Sequence, residues 1–205
     1  MGDSVLPWSG RLRRSRAQAA ETRARILSTA TQMFLDRGLG TVGMREVMAE
    51  ADLTPGGFYK HFQSKDQLIA EASREACDRA YTTLENEAAG RSPAQAIERI
   101  VSVYLEQSQG KGRPYLCPLA MLSSELRHSD PSVRAIAAEG HQRLIELIAR
   151  NVPQSMKGKA LTVASGIVST LVGAVALAEI APDPAMASAI LKSAKAVIKE
   201  HVLRE

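Results

Sequence analysis

Residues 44–62 read MREVMAEADLTPGGFYKHF, and this stretch decides the fold. Its first part predicts a short helix over 44–51, with Val47 and Met48 facing inward. Asp52 stands where the chain must turn, and Asp tolerates the left-handed conformation better than most residues. Thr54 is placed to cap a second segment that has Pro55 in its first position. That segment, 55–61, is barely two turns long, with Phe58 and Phe62 directed to the core. A helix, a tight turn and a short helix, apolar only where the two must pack, is the pattern of a helix-turn-helix. In such a unit the first helix braces and the second offers its first turn to the major groove of DNA. Gly56 and Gly57 cost roughly 1 kcal/mol each relative to Ala in a helix, which makes sense where a backbone must approach a partner closely. Tyr59, Lys60, His61 and Lys65 can all donate to phosphate oxygens.

Working outward, the preceding helix spans 19–37 on the stripe Ile26, Leu27, Ala30, Met33 and Phe34, with Gly38 as its stop signal. Residues 1–16 read as a tail, and six arginines against one glutamate lie between positions 11 and 25. They form either a solvated basic arm or a phosphate-seeking extension. After the turn, Ser64 caps a long helix with Lys65 at its N-terminus, an anion-favouring position. The second half is a series of amphipathic helices. Pro93 starts one carrying Ile97, Ile100, Val101, Tyr104 and Leu105, and Gly110, Gly112 and Pro114 break it. A short helix over 118–128 follows, then one opened by Pro131 and ended by Pro153. The helix over 156–180 is apolar all round, and the last one carries Met186, Ile190, Ala194, Val197 and Ile198. The total is about nine helices with no convincing strand, so the expected fold class is all-α.

Composition agrees with that class. Of 205 residues, 45% are hydrophobic, 23% charged and only 4% aromatic, ordinary for a folded globular chain and inconsistent with a wholly disordered one. The net charge of +4 permits a nucleic-acid partner without demanding one. Cys77 and Cys117 are too few for a disulfide framework, so a reduced, cytoplasmic chain is expected. No apolar run follows the early arginines, so no signal peptide is expected. The uncharged run 160–178 contains Thr162, Ser165, Gly166, Ser169, Thr170 and Gly173, which favours a buried helix over a membrane span. Ser165, Ser169 and Gly173 recur at helical spacing and let a second helix come close, which points to a dimer contact.

The runs RILSTATQMFLDRG (25–38) and REVMAEADLTPGGFYKHFQSKDQL (45–68) resemble the DNA-binding domain of the TetR/AcrR family of bacterial transcriptional regulators. The resemblance implies a homodimer whose first three helices bind DNA, whose C-terminal bundle holds a small-molecule pocket, and whose last two helices form a four-helix interface. It divides the chain into a basic arm (1–18), a helix-turn-helix domain (19–65) and a ligand-binding and dimerisation domain (66–205). By position, Tyr59, His61 and Lys65 match phosphate-contacting residues, Arg45 a base- or phosphate-contacting one, and Thr54, Gly56, Gly57 and Lys60 groove-facing ones. Where the family has a Thr–Ser/Thr pair before the second helix, this chain has Val42–Gly43, with Thr41 one residue early. Where the family has a turn glycine, it has Asp52.

The expected function is therefore a ligand-responsive regulator, most simply a repressor, of a palindromic operator on double-stranded DNA. No cofactor, metal or membrane partner is expected. A small helical enzyme is the rival, but no HExxH, paired carboxylates, phosphate loop or Ser–His–Asp set is legible, and His128, His141 and His201 are isolated. For the effector pocket, Tyr104, Cys117, Met121, Glu125 and Val168 are candidates, with Tyr104 and Glu125 supplying polar contacts. Cys117 carries an alternative. Directly before Pro118 at a helix start, with Lys111 and Arg113 close in sequence, it is either a packed apolar residue or a low-pKa thiol that senses oxidants or electrophiles.

Overall fold

A computed structural model describes residues 8–106 and 117–202. Every regular element among the described residues is a helix, and there is no strand. The chain divides into two compact units, Met1–Ala72 and Ser73–Glu205.

In the first unit, α1 (Trp8–Arg37) precedes α2 (Met44–Glu50), a 3-10 helix (Pro55–Lys60) and the first turns of α3 (Lys65–Ala88). Helix α1 starts well before position 19. Its Arg, Ala and Gln residues are good helix formers and no proline interrupts them. The side chains of Arg11, Arg13 and Arg14 lie outside the described residues. Gly38 ends α1 at φ 86°, the left-handed conformation that glycine takes without steric cost. Ile26, Ala30, Phe34, Val42, Val47, Phe58, Phe62 and Leu68 are buried together. Phe58 stacks on Phe62 with ring centroids 5.7 Å apart, within the range that favours aromatic pairs.

The second unit holds the rest of α3, α4 (Pro93–Glu106), α5 (Pro118–Met121), α6 (Ser123–Leu126), α7 (Pro131–Arg150), a 3-10 helix (Gln154–Lys159), α8 (Ala160–Glu179) and α9 (Pro184–Val202). The single helix expected over 118–128 is two separate turns, parted at Leu122 with φ −118°. Gly110, Gly112 and Pro114 lie outside the described residues. Asp130 caps α7, accepting from the Ser132 amide at 2.8 Å and the Ser132 hydroxyl at 2.7 Å. Those bonds hold its carboxyl below the usual carboxylate range.

Helix α8 packs on α7, α9 and α4. Its buried side is Ala164, Ile167, Val168, Leu171, Ala174 and Val175. Contrary to burial on several sides, Thr162, Gly166, Ser169 and Leu177 remain exposed within one chain. By length and composition residues 154–179 would be long and apolar enough to cross a membrane. Here a third of that stretch's most apolar window is core of the helical bundle.

Helices α3 and α7 run side by side and parallel. Ion pairs Arg74–Glu139, Asp78–Arg143 and Glu85–Arg150 join them at a constant sequence offset of 65. These pairs are largely exposed, so each contributes only about 0–1 kcal/mol. The closest approach is at Gly140, where a Cβ would lie 2.7 Å from Cys77 Sγ and 3.2 Å from Cys77 Cβ. Gly140→Ala is therefore expected to destabilise the protein by about 1–2 kcal/mol through overpacking. Cys77→Ala removes the sulfur, so in that background the same change should be nearly neutral, helped by alanine's higher helix propensity. Thermal unfolding of the four proteins of this cycle measures the coupling. Strict additivity would contradict the contact.

Candidate nucleic-acid interface

Helix α2 begins without a side-chain cap, because Gly43 is its N-cap residue. Glu46 compensates: its Oε2 accepts from the Gly43 amide at 2.8 Å, and Arg37 pairs with its Oε1 at 2.9 Å. The Gly43 amide, then Arg37, hold the Glu46 carboxyl below its usual range. Val42 is fully buried, and the Thr41 hydroxyl turns back to the carbonyls of Arg37 and Gly38. The hydroxyl cap that the family resemblance implies is thus absent, and a carboxylate three residues into the helix takes its place.

Asp52 takes φ 54° at the turn, the conformation its side chain tolerates. The Leu53 amide then closes on the Met48 carbonyl at 2.8 Å. The segment 55–60 is a 3-10 helix rather than two α-turns. Six residues that include two glycines gain too little from α-helical hydrogen bonds to hold the wider turn. Thr54 is its N-cap, but its hydroxyl makes no capping bond. Ser64 does cap α3, its hydroxyl accepting from the Gln67 amide at 3.0 Å.

Arg45, Thr54, Gly56, Tyr59 and Lys60 are exposed, while Gly57, His61 and Lys65 are partly buried. Tyr59 is 77% exposed, with its ring edge-on to buried Phe58 at 5.2 Å. The two glycines differ. A Cβ on Gly56 would meet nothing within 4 Å, whereas one on Gly57 would lie 3.4 Å from Met48 Cε and 3.9 Å from the Thr54 hydroxyl. Gly57 therefore faces Met48 of α2 at ordinary contact distance, and Gly56 is the position that opens outward.

Arg23 is the positioning residue that spacing along the chain does not reveal. Its guanidinium lies 4.5 Å from the centre of the Phe62 ring. It donates to both Glu71 oxygens at 2.7 Å and to the His61 carbonyl at 3.3 Å. Gln67 extends the network, donating to Glu71 at 2.9 Å and accepting from the Gln63 amide at 2.6 Å. One arginine thus ties α1 to the end of the 3-10 helix and to α3. Arg23→Met is expected to lower the stability of this unit by about 1 kcal/mol, since the pair is a third exposed and partly screened. A drop in the thermal midpoint would register this, and an unchanged midpoint would show that the network is passive.

In the second unit, Cys77, Ala80, Tyr81, Leu84, Tyr104, Cys117, Leu119, Gly140 and Leu144 line one cavity. It offers about 20 Å³ to the centre of a water-sized molecule. Of the expected pocket residues it brings together Tyr104 and Cys117. Met121, Glu125 and Val168 do not line it, and Val168 is fully buried core. Cys77 and Gly140 join it unforeseen, since nothing local in the sequence pairs α3 with α7. Of the two readings of Cys117, the activated thiol is not supported and the packed residue is. Burial pushes its thiol up, outweighing the Tyr104 hydroxyl and the Leu119 and Ala120 amides that pull it down. Lys111 and Arg113 lie outside the described residues.

Residues 26–72 match the family model of bacterial regulatory proteins, tetR family. The HTH-type transcriptional repressor KstR2 of Mycolicibacterium smegmatis is 37% identical over 62 residues, which are 30% of this chain and 30% of that protein. The match thus spans less than a third of that relative. The HTH-type transcriptional repressor NemR of Escherichia coli K12 is 26% identical over 145 residues, covering 69% of this chain and 72% of NemR. The crystal structure of E. coli NemR in its reduced form superposes with a TM-score of 0.78 at 21% identity, over 89% of this chain and 97% of that one. A TetR transcriptional regulator of Chloroflexus aurantiacus superposes at 0.79 and 24% identity, over 92% and 98%. Residues 26–72 thus match the tetR family of bacterial regulatory proteins, and the helical fold of the chain is that of solved TetR regulators.

Proposed function

We propose that the chain is a transcriptional repressor that binds a palindromic operator as a homodimer and is released by a small molecule. The observation that carries this reading is the row of exposed donors and open backbone on one helix-turn-helix. Arg45 stands on α2, and Thr54, Gly56, Tyr59 and Lys60 stand on the short helix that α2 braces. Tyr59, His61 and Lys65 serve phosphates, which set register and orientation. Arg45, Thr54, Gly56 and Lys60 approach the groove, where base edges are read, while Gly57 faces Met48 of α2. One such element reads few base pairs, so two half-sites are needed. The uncharged exposed face of α8 supplies the surface for a second copy.

Release by an effector requires that the ligand bind the released conformation more tightly, and operator must then weaken ligand binding by the same factor. Tyr104 and Cys117, which share a cavity, are the pocket residues this reading retains first. A second reading, release through thiol chemistry at Cys117, is favoured by the placement of that thiol on the cavity beside Tyr104.

The test is operator binding by fluorescence anisotropy across a salt series. Affinity should fall linearly on logarithmic axes as salt rises, because neutralised phosphates release counterions. Lys65→Ala should weaken binding to all sequences about equally and lower the salt slope by about 1. A Lys65→Ala protein with unchanged slope would remove Lys65 from the phosphate contacts, and salt-independent binding would sink the reading.

A further inference from the structure

Three reactive or polar side chains from three helices meet at one cavity of the second unit. Cys77 comes from α3, Tyr104 from α4, and Cys117 stands at the start of α5. Both cysteines are free thiols. Cys77 is 8% exposed, wedged against the bare backbone of Gly140. Cys117 is only partly buried. The Tyr104 hydroxyl is buried with no conventional hydrogen bond among the described residues. The polar group beside it is the Cys117 thiol. A buried hydroxyl left without a firm partner is costly, and here it is aimed at a sulfur.

We propose that Cys77 and Cys117 form a dithiol site that a small peroxide-class oxidant converts to a disulfide within one chain. The cavity suits such a reagent, because its room of about 20 Å³ is that of one or two water-sized molecules. Cys117, on the less buried of the two residues, reacts first. As thiolate it attacks one peroxide oxygen, the O–O bond breaks, and the departing hydroxide takes up the thiol's proton as water. Cys117 is now a sulfenic acid, with the Tyr104 hydroxyl placed to donate to it. The Cys77 sulfur then attacks Cys117 Sγ, the S–O bond breaks, and hydroxide leaves with the Cys77 proton as a second water. Two thiols and one peroxide give one disulfide and two waters, a two-electron oxidation of the protein. Burial pushes the Cys77 thiol up to about 12, which slows the second step without changing its product. The chemistry is read on the protein alone, so it stands or falls separately from operator binding.

The experiment treats the full chain with excess hydrogen peroxide, unfolds it in an alkylating reagent and maps its peptides without reduction. Wild type should yield one cross-linked peptide pair holding Cys77 and Cys117, in protein that runs as a single chain on a non-reducing gel. Cys77→Ser, or Cys77→Ala as the variant without a buried hydroxyl, should lose the cross-link and leave Cys117 as a sulfenic acid trapped by dimedone. Cys117→Ser should leave Cys77 a free thiol. Cys117 oxidised in wild type with Cys77 still alkylated would overturn the proposal. So would cross-links that join only separate chains, or two unreacted thiols under conditions that oxidise a model thiol.

Discussion

Gly56→Leu is expected to abolish specific operator binding while the protein melts at or above the wild-type temperature. Among the described residues, nothing beyond the chain neighbours lies within 4 Å of a Cβ built at this position, so a leucine there starts into open space. Losing a flexible glycine should even add a few tenths of a kcal/mol or more. On the DNA side, the same side chain stands where the backbone must come close. Loss of that approach, at about 3 kcal/mol or more, corresponds to a hundredfold or greater fall in affinity. Gly57→Leu should behave differently. Its Cβ direction points at Met48, so the leucine pushes α2 from the recognition segment and costs about 1–3 kcal/mol of stability. Thermal melts and anisotropy on both variants separate the cases. A Gly57→Leu protein that melts normally but fails to bind would return the groove contact to Gly57, and a Gly56→Leu protein that binds normally would move the interface elsewhere.

The second large effect is expected at the exposed face of α8. Gly173→Glu is expected to disturb the single chain little, since among the described residues nothing outside its own helix backbone lies within 4 Å of the new Cβ. In a dimer through this face, the same carboxylate is buried without a partner, at a cost of several kcal/mol. The variant should sediment as a monomer at micromolar concentration where wild type is a dimer, with its melting of one chain little changed. Operator affinity should fall with it, because a monomer engages one half-site. A Gly173→Glu dimer with normal affinity would take α8 out of the interface.

The helix-turn-helix was legible because its signals are local. Phe58 and Phe62 lie four residues apart and are both buried, Asp52 stands at a left-handed turn, and Ser64 caps its own helix. What stayed hidden depends on residues that meet from distant parts of the chain. Arg23 reaches Glu71 across a separation of 48, with no periodicity linking them. Gly140 reads as a weak point of a helix until Cys77 is seen against it. Cys117 stayed open between packing and activation because its local sequence shows the helix start but not the burial around it, and burial dominates. Gly56 and Gly57 were read alike, since composition cannot tell which of two glycines faces outward.

Residues 44–65 of two copies are proposed to read double-stranded DNA. Selection of a randomised duplex library on the purified protein tests it most directly. The expected result is enrichment of a two-fold symmetric sequence whose half-sites lie about one or more helical turns apart, lost when the selection is repeated with Gly56→Leu. Uniform retention of unrelated sequences, or an enriched site that Gly56→Leu binds equally well, would contradict it.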